Sequence, residues 1–418
     1  MNRPFHLMAK PVSYQCNIAC DYCFYSAKKG LVKTCKEQRH MDDATLEAYV
    51  RQYIEANPMS EIEFTWQGGE PTLAGIEFYK KALMLQQKYA KGKTISNSFQ
   101  SNGVLIDDEW ASFFAQHKFL VGLSIDGPEW LHDQYRKSNS NKSVFNKVIK
   151  AMDALQRHRV EVNVLTVVNN ITSSHPIEIY KFLTQELKAE FIQFIPAVEQ
   201  RPGAEKFGEL LYPQTLSGGM VTEWSVSGGQ YGYFINTIFD YWVRHDVGRV
   251  FIQLFDNALA AWAGEQPSLC VMRSSCGKGL VVEQNGDVYS CDHYVYPSHR
   301  LGNLHHDNLV QMANGKQQRK FGLAKNQLSA ECERCQWRFA CQGGCPKHRI
   351  HKTSRGWHNH LCPGYKAIFS HIDPYMRFMA YQLNLHLPPA NVMHTASAIA
   401  ATQTTLSKQE TECFPHKA

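Results

Sequence analysis

Three cysteines near the start of the chain, Cys16, Cys20 and Cys23 in the string CNIACDYC, constrain it more than any other feature. Thiolates at the spacing CxxxCxxC can hold three irons of a [4Fe-4S] cube and leave the fourth open to a small chelating ligand. A zinc site short of one ligand, or three unrelated buried thiols, would use the same residues.

The chain has 418 residues and thirteen cysteines. Its first ten residues, MNRPFHLMAK, hold no apolar h-region, so export is not expected. With no apolar run of about 18 residues, no transmembrane helix is expected either. A cytoplasmic location follows, where clustered cysteines bind metal more often than they form disulfides. The length suits two or three domains with ample core. Forty-four Lys and Arg against 38 Asp and Glu leave a formal charge of +6, which gives no support to a nucleic-acid role.

Up to about residue 200, short β-rich runs alternate with longer amphipathic stretches. Strands are expected at Leu7–Val12, Ile62–Trp66, Thr94–Gln100, Leu120–Ile125, Val160–Val168 and Phe191–Ile195. Helical periods fall at Asp43–Glu55, Phe78–Tyr89, Asp107–Gln116, Ser143–His158 and Ile177–Leu187. This alternation implies an α/β fold, a parallel sheet closing part-way into a barrel with its chemistry at the C-terminal strand ends. The cysteine triplet follows the first strand. After the second comes WQGGEP, where Gly68 and Gly69 let backbone approach a ligand and Glu70 offers a carboxylate to an ammonium group. The same string is also a commonplace turn. The fourth strand ends in SIDGPEWLHDQYR, in which Ser124 and Asp126 could bond sugar hydroxyls and Arg136 a carboxylate. A plain turn at Asp126, Gly127 and Pro128, with Arg136 a solvated helix charge, is the alternative.

Residues 202–265 carry Trp224, Tyr231, Tyr233, Phe234, Phe239, Tyr241, Trp242, Phe251 and Phe255 in a mostly helical pattern, which reads as core before cleft wall. Beyond lies a second cysteine-rich region. Cys270 precedes a C-x9-G-x4-C segment from Cys276 through Gly286 to Cys291, then a C-x2-C-x5-C-x3-C segment of Cys332, Cys335, Cys341 and Cys345, with Cys362 trailing. Eight thiolates can close two further [4Fe-4S] clusters with no open iron, or two zinc sites of four thiolates each. Asp292 stands apart from the other acids because it follows Cys291 directly and would be fixed by it. A carboxylate held there could take a proton from a substrate, although an Asp beside a Cys can equally cap a turn. His293 and Tyr294 stand beside it as possible sharers of that task.

Taken together, the triplet with Tyr22 before its last Cys, the GGEP string and the later spacings resemble the radical S-adenosylmethionine (SAM) enzymes that carry a SPASM domain. Within them the likeness is to anaerobic sulfatase-maturating enzymes, from about Ala9 and Lys10 to just past Cys362. The resemblance implies a partial (β/α)6 radical SAM barrel over residues 1–200, a mostly helical bridge over 201–265 and a SPASM domain over 266–385. It implies SAM and three [4Fe-4S] clusters. Cys16, Cys20 and Cys23 would hold the first, Cys270, Cys276, Cys291 and Cys345 the nearer auxiliary cluster, and Cys332, Cys335, Cys341 and Cys362 the outer one. That leaves Cys35 and Cys413 without a role. By the same likeness Gly68, Gly69 and Glu70 would hold the methionine amino group, Ser124, Asp126 and Arg136 would contact SAM, and Tyr22 and Val198 would border the adenine.

The activity so implied is oxygen-independent oxidation of one Cys or Ser of a sulfatase to Cα-formylglycine. A deoxyadenosyl radical would remove a hydrogen from Cβ, Asp292 would act as base, and an auxiliary cluster would accept the second electron. The implied partners are a sulfatase polypeptide and a flavodoxin or ferredoxin-type electron donor, with no nucleic acid and no membrane. A SPASM enzyme that crosslinks a ribosomal peptide, and a metal-binding sulfatase regulator without catalysis, are the rival readings. Residues 386–418, rich in Ala, Thr, Ser and Pro, are expected to form a disordered or loosely docked tail.

Overall fold

All six expected strands form and pair side by side in the computed structural model, which describes residues 3–32, 40–201, 220–353 and 356–413, without the side chains beyond 402. They are β1 (His6–Lys10), β2 (Glu61–Trp66), β3 (Thr94–Ser101), β4 (Phe119–Ser124), β5 (Glu161–Val168) and β6 (Phe191–Pro196). Each runs parallel to its predecessor. Among the helices between them are α1 (Asp43–Ala56), α2 (Ile76–Tyr89), α3 (Asp108–Gln116) and α4 (Phe145–Arg157). The last expected helix is broken into an α segment, Pro176–Lys181, and a π turn, Phe182–Glu186.

Local chemistry accounts for these elements. Asp42 caps α1 by accepting from Thr45 N at 2.7 Å, and Asp107 caps α3 by accepting from Trp110 N at 3.0 Å. In β2 the period of two sends Ile62, Phe64 and Trp66 into the core. There Tyr49, Trp66, Tyr79, Phe99 and Phe114 form a chain of rings with successive centroids 5.7, 5.5, 5.0 and 4.9 Å apart. The opposite positions are polar: Thr65 bonds Ser98 at 2.7 Å, and Gln67 donates to Gln100 at 2.6 Å. One face of the sheet is therefore sealed by α1, α2 and α3, and the other is lined for polar ligands.

The sheet does not stop at six strands. β7 (Phe251–Ile252) extends it beyond β6, and at the other edge β8 (Gly279–Glu283), β9 (Asp287–Tyr289) and β10 (Arg300–Asn303) follow β1, in the order β7-β6-β5-β4-β3-β2-β1-β8-β9-β10. β8 lies parallel to β1 with Glu283 opposite Lys10. The run GLVVE that makes β8 sits inside the C-x9-G-x4-C segment, where the cysteine spacing masks its β character. The boundary expected between the barrel and the cysteine-rich region thus crosses a continuous sheet.

Among the described residues 220–265, α5 (Gly228–His245) is started by a capping box of Ser227 and Gln230. Tyr231, Phe234, Phe239, Trp242 and Phe255 are core residues, whereas Tyr233 is exposed. α5 packs on α6 (Cys362–Asn384). Beyond 385, where a disordered or loosely docked tail is expected, the described residues form a docked helix. α7 (Val392–Cys413) packs against α5 and α6, and it buries Val392 and Ala396 because the two larger helices leave an apolar face for it. Among the described residues no helix is long and apolar enough to cross a membrane.

Candidate active site

The short strand Ile18–Cys20 pairs antiparallel with Arg136–Ser138, which sets Cys20 opposite Arg136. Cys23 N then donates to Cys20 O at 3.0 Å and turns the loop back on itself. Asn102, just past β3, reaches Cys16 Sγ with Nδ2 at 3.5 Å and Asn17 Oδ1 at 2.8 Å. Burial pushes the Cys16 thiol up to about 11, with Glu70 and Cys23 adding to the shift. Burial also pushes the Cys20 thiol up, and the neighbouring Cys23 and Cys16 add to it. Cys16 and Cys20 are thus held toward the neutral thiol, and a cluster bound through the three sulfurs would supply the positive core that ionises them.

Gly68 and Gly69 do bring backbone close, but to the cysteine loop. A Cβ on Gly69 would stand 1.8 Å from Gln15 O, and Gly68 has φ +144°. Gly69 N donates to Ser13 O at 2.7 Å and Glu70 N to Gln15 O at 2.8 Å. The Glu70 carboxylate, expected to meet an ammonium group, also accepts four hydrogen bonds from within the chain. Oε1 accepts from Thr72 N at 3.1 Å, Thr72 Oγ1 at 2.7 Å and Ser101 Oγ at 2.9 Å, and Oε2 from Asn102 N at 2.7 Å. It clamps the loops after β2 and β3 together, because a buried carboxylate gathers the nearest donors.

Tyr22, Asp126 and Arg136 do come together. Asp126 Oδ2 accepts from Arg136 Nε at 2.9 Å and from the Tyr22 hydroxyl, and Oδ1 from Val167 N at 2.9 Å. Asp126 thus joins Tyr22 and Arg136, and the Arg136 guanidinium lies 5.4 Å from the Tyr22 ring. Ser124 and Val198 are both buried, at the exits of β4 and β6.

The later thiols divide into two groups by which charges each one feels. Burial raises Cys276 to about 12, with Cys345 and Cys270 contributing, and Cys291 rises by burial next to the same two. Cys341 is pushed up to about 12 by burial beside Cys362, Cys332 and Cys335. Among the described residues no three His, Cys, Asp or Glu side chains could hold a single metal ion. Cys35 lies outside the described residues, as does the side chain of Cys413.

Asp292 begins a short helical turn, Asp292–Tyr294, directly after Cys291. Its Oδ1 lies 2.5 Å from Nζ of Lys10, the last residue of β1. Lys10 is 1% exposed, donates to Gln67 Oε1 at 3.1 Å and stands 4.2 Å over the Tyr25 ring. The acid beside one auxiliary thiol is thus tied to the strand that leads into the triplet.

The radical SAM superfamily matches residues 11–183, and the SPASM iron-sulfur cluster-binding domain matches residues 270–336. A serine-type anaerobic sulfatase-maturating enzyme of Bacteroides thetaiotaomicron is 44% identical over 395 residues, 94% of this chain and 95% of the relative. The chain belongs to the anaerobic sulfatase-maturating enzymes. A cysteine-type member of the family from Clostridium perfringens is 35% identical over 376 residues, covering 89% of this chain and 97% of the relative. The solved structure of native anSMEcpe with bound AdoMet and Kp18Cys peptide superposes with a TM-score of 0.79 at 34% identity, over 91% of this chain and all of that one. Streptococcus suis SuiB bound to its precursor peptide SuiA shares the fold, with a TM-score of 0.58 at 14% identity, over 87% of this chain and 76% of that one.

In this sulfatase-maturating enzyme the structure adds residues that sequence motifs did not reveal. Lys10 pairs with Asp292, Gln67 and Tyr25 both touch Lys10, and Tyr25 in turn hydrogen-bonds Glu283. Glu283 is completely buried, and burial holds its carboxyl above the usual range. Lys347 pairs with Glu199 and lies 4.5 Å from the Phe24 ring, which packs 4.8 Å from His293. Burial pushes the imidazole of His293 well below its usual range, assisted by Lys347, Lys28 and Lys10. The only available signal was position: Phe24, Tyr25 and Lys28 follow the triplet closely, and Lys347 follows Cys345 by two residues.

Proposed function

We propose that the chain oxidises one Ser or Cys of a sulfatase polypeptide to Cα-formylglycine with Asp292 as the base. The observation that carries this reading is the Lys10–Asp292 contact of 2.5 Å, which fixes a carboxylate between the triplet strand and an auxiliary thiol group. Cys16, Cys20 and Cys23 would hold the SAM-binding cluster. Cys270, Cys276, Cys291 and Cys345, and separately Cys332, Cys335, Cys341 and Cys362, would hold two auxiliary clusters. Gly68, Gly69, Ser124, Arg136, Tyr22 and Val198 would line the SAM site, with Asp126 and Glu70 positioning them. When bound, SAM and the clusters supply the one-electron chemistry: removal of a hydrogen atom from the substrate Cβ and acceptance of the second electron.

The chain's own part is to orient and deprotonate. Asp292 takes the hydroxyl or thiol proton, and Lys10 holds it in position while Gln67 and Tyr25 fix Lys10. A base matters more for Ser than for Cys, whose thiol has a pKa of ~8.5. Serine-type relatives are also the more similar, at 44% and 38% identity against 35% for a cysteine-type one, so Ser is the favoured target. A cytoplasmic setting and a flavodoxin or ferredoxin-type donor would suit a chain that must keep eleven cluster thiols reduced.

Anaerobic incubation of the cluster-loaded protein with SAM, a reductant and a peptide bearing C/S-x-P-x-R tests the proposal by mass spectrometry. Loss of two hydrogens from Ser, or the aldehyde from Cys, together with 5'-deoxyadenosine is the expected result. Deoxyadenosine with an unchanged peptide would move the substrate elsewhere within the SPASM enzymes.

A further inference from the structure

The cations around Asp292 are not all matched. Lys10 is paired with Asp292 and Lys347 with Glu199. Lys28 is 3% exposed and lies within electrostatic reach of Lys347, Glu199 and Asp292. Among the described residues its side chain makes neither an ion pair nor a hydrogen bond, and Nζ rests 3.4 Å above the Tyr296 ring. Near it, His293 has its Nδ1 buried without a hydrogen-bond partner among the described residues.

An aromatic face attracts a cation but accepts no set of directed N–H bonds, and a lysine amine carries up to three donors. Leaving such a group buried and unmatched is costly, so native interiors supply an acceptor or receive one with a ligand. Both neighbouring carboxylates are already claimed by other lysines. What remains is an oxygen brought in from outside, and an extended polypeptide carries one carbonyl acceptor per residue.

We propose that Lys28 is a substrate-binding residue, whose amine donates a hydrogen bond to a main-chain carbonyl of the polypeptide beside the residue being oxidised. The assignment rests on the function proposed above and adds a peptide subsite to it. Lys28 sits on the turn Ser26–Lys28, directly after the triplet loop, so the same segment would bind the cluster and register the peptide over it.

The test is peptide kinetics with the cluster-loaded enzyme and its Lys28→Met variant, whose side chain has similar length and no donor. Loss of the hydrogen bond from this amine predicts a KM about threefold to tenfold higher, with a smaller change in kcat. Lys28→Arg, which keeps a donor, is expected to restore most of the affinity. Lys28→Leu provides the same comparison if the Met variant fails to load iron. An unaltered KM overturns the assignment, and if the auxiliary reduction potential shifts instead, Lys28 serves to balance cluster charge. A wild-type enzyme that cleaves SAM but neither binds nor alters the peptide overturns the function reading and this assignment with it. Peptide conversion with an unaltered KM in the variant overturns this assignment alone.

Discussion

A base that works once per turnover must be held where the proton appears, and a carboxylate on a loop would not be. Asp292 is held twice, covalently next to Cys291 and electrostatically by Lys10. Its replacement by Asn keeps the shape and leaves every cysteine in place. Asp292→Asn is therefore expected to lower peptide conversion about a hundredfold or more, with deoxyadenosine still formed, as read by mass spectrometry and chromatography of the same reaction. A peptide conversion rate equal to wild type would remove Asp292 from the mechanism. The candidate acid was legible because it adjoins a ligand cysteine. Lys10 was not, since a lysine at a strand end carries no motif and meets Asp292 only after β8 docks beside β1. Glu70 has a further part that its GGEP context did not show: four donors from Thr72, Ser101 and Asn102 bond its carboxylate and join two loops.

Among elements, the crossing of α5 and α6 has the least room to change. A Cβ on Gly364 would lie 2.3 Å from the carbonyl oxygen of Gly228, so backbone would have to move. Gly364 is two residues after Cys362, and separating the helices would displace an outer thiol. Gly364→Ala is expected to destabilise the protein by about 3 kcal/mol and to lower its iron content. Gly229→Ala, on the same α5 with nothing within 4 Å of the added methyl, should be neutral or slightly stabilising. Thermal unfolding and iron analysis of the two variants check the pair, and equal midpoints would show that the crossing tolerates a side chain. The six barrel strands were legible because each is a short β-branched or aromatic run followed by an amphipathic helix. β8, β9 and β10 were not, because runs of three to five residues among cysteines carry too little periodicity to register.

At the scale of the whole molecule, stability should depend on pH through a buried histidine. His132 Nδ1 accepts from Asp126 N at 3.3 Å, and burial lowers its pKa to about 4 from 6.5. The folded chain keeps it neutral while the unfolded chain protonates it, so stability is full above pH 6.5 and falls as pH drops toward 4. Between pH 7 and pH 5 this one group should cost about 2 kcal/mol. Denaturation midpoints at the two pH values should differ less in His132→Gln than in the wild type, and an equal difference would refute the assignment. The sequence by itself determined the parallel α/β barrel, the triplet and the eight later thiols, because strand and helix periods and cysteine spacings are local properties. Only the tertiary structure decided that the cysteine-rich region extends the barrel sheet, that α7 docks, and that Lys10, Lys28 and Lys347 gather around His293. Those arrangements depend on residues far apart in the chain, and what brings them together is the pairing of β8 with β1 and the cost of burying charge without a partner.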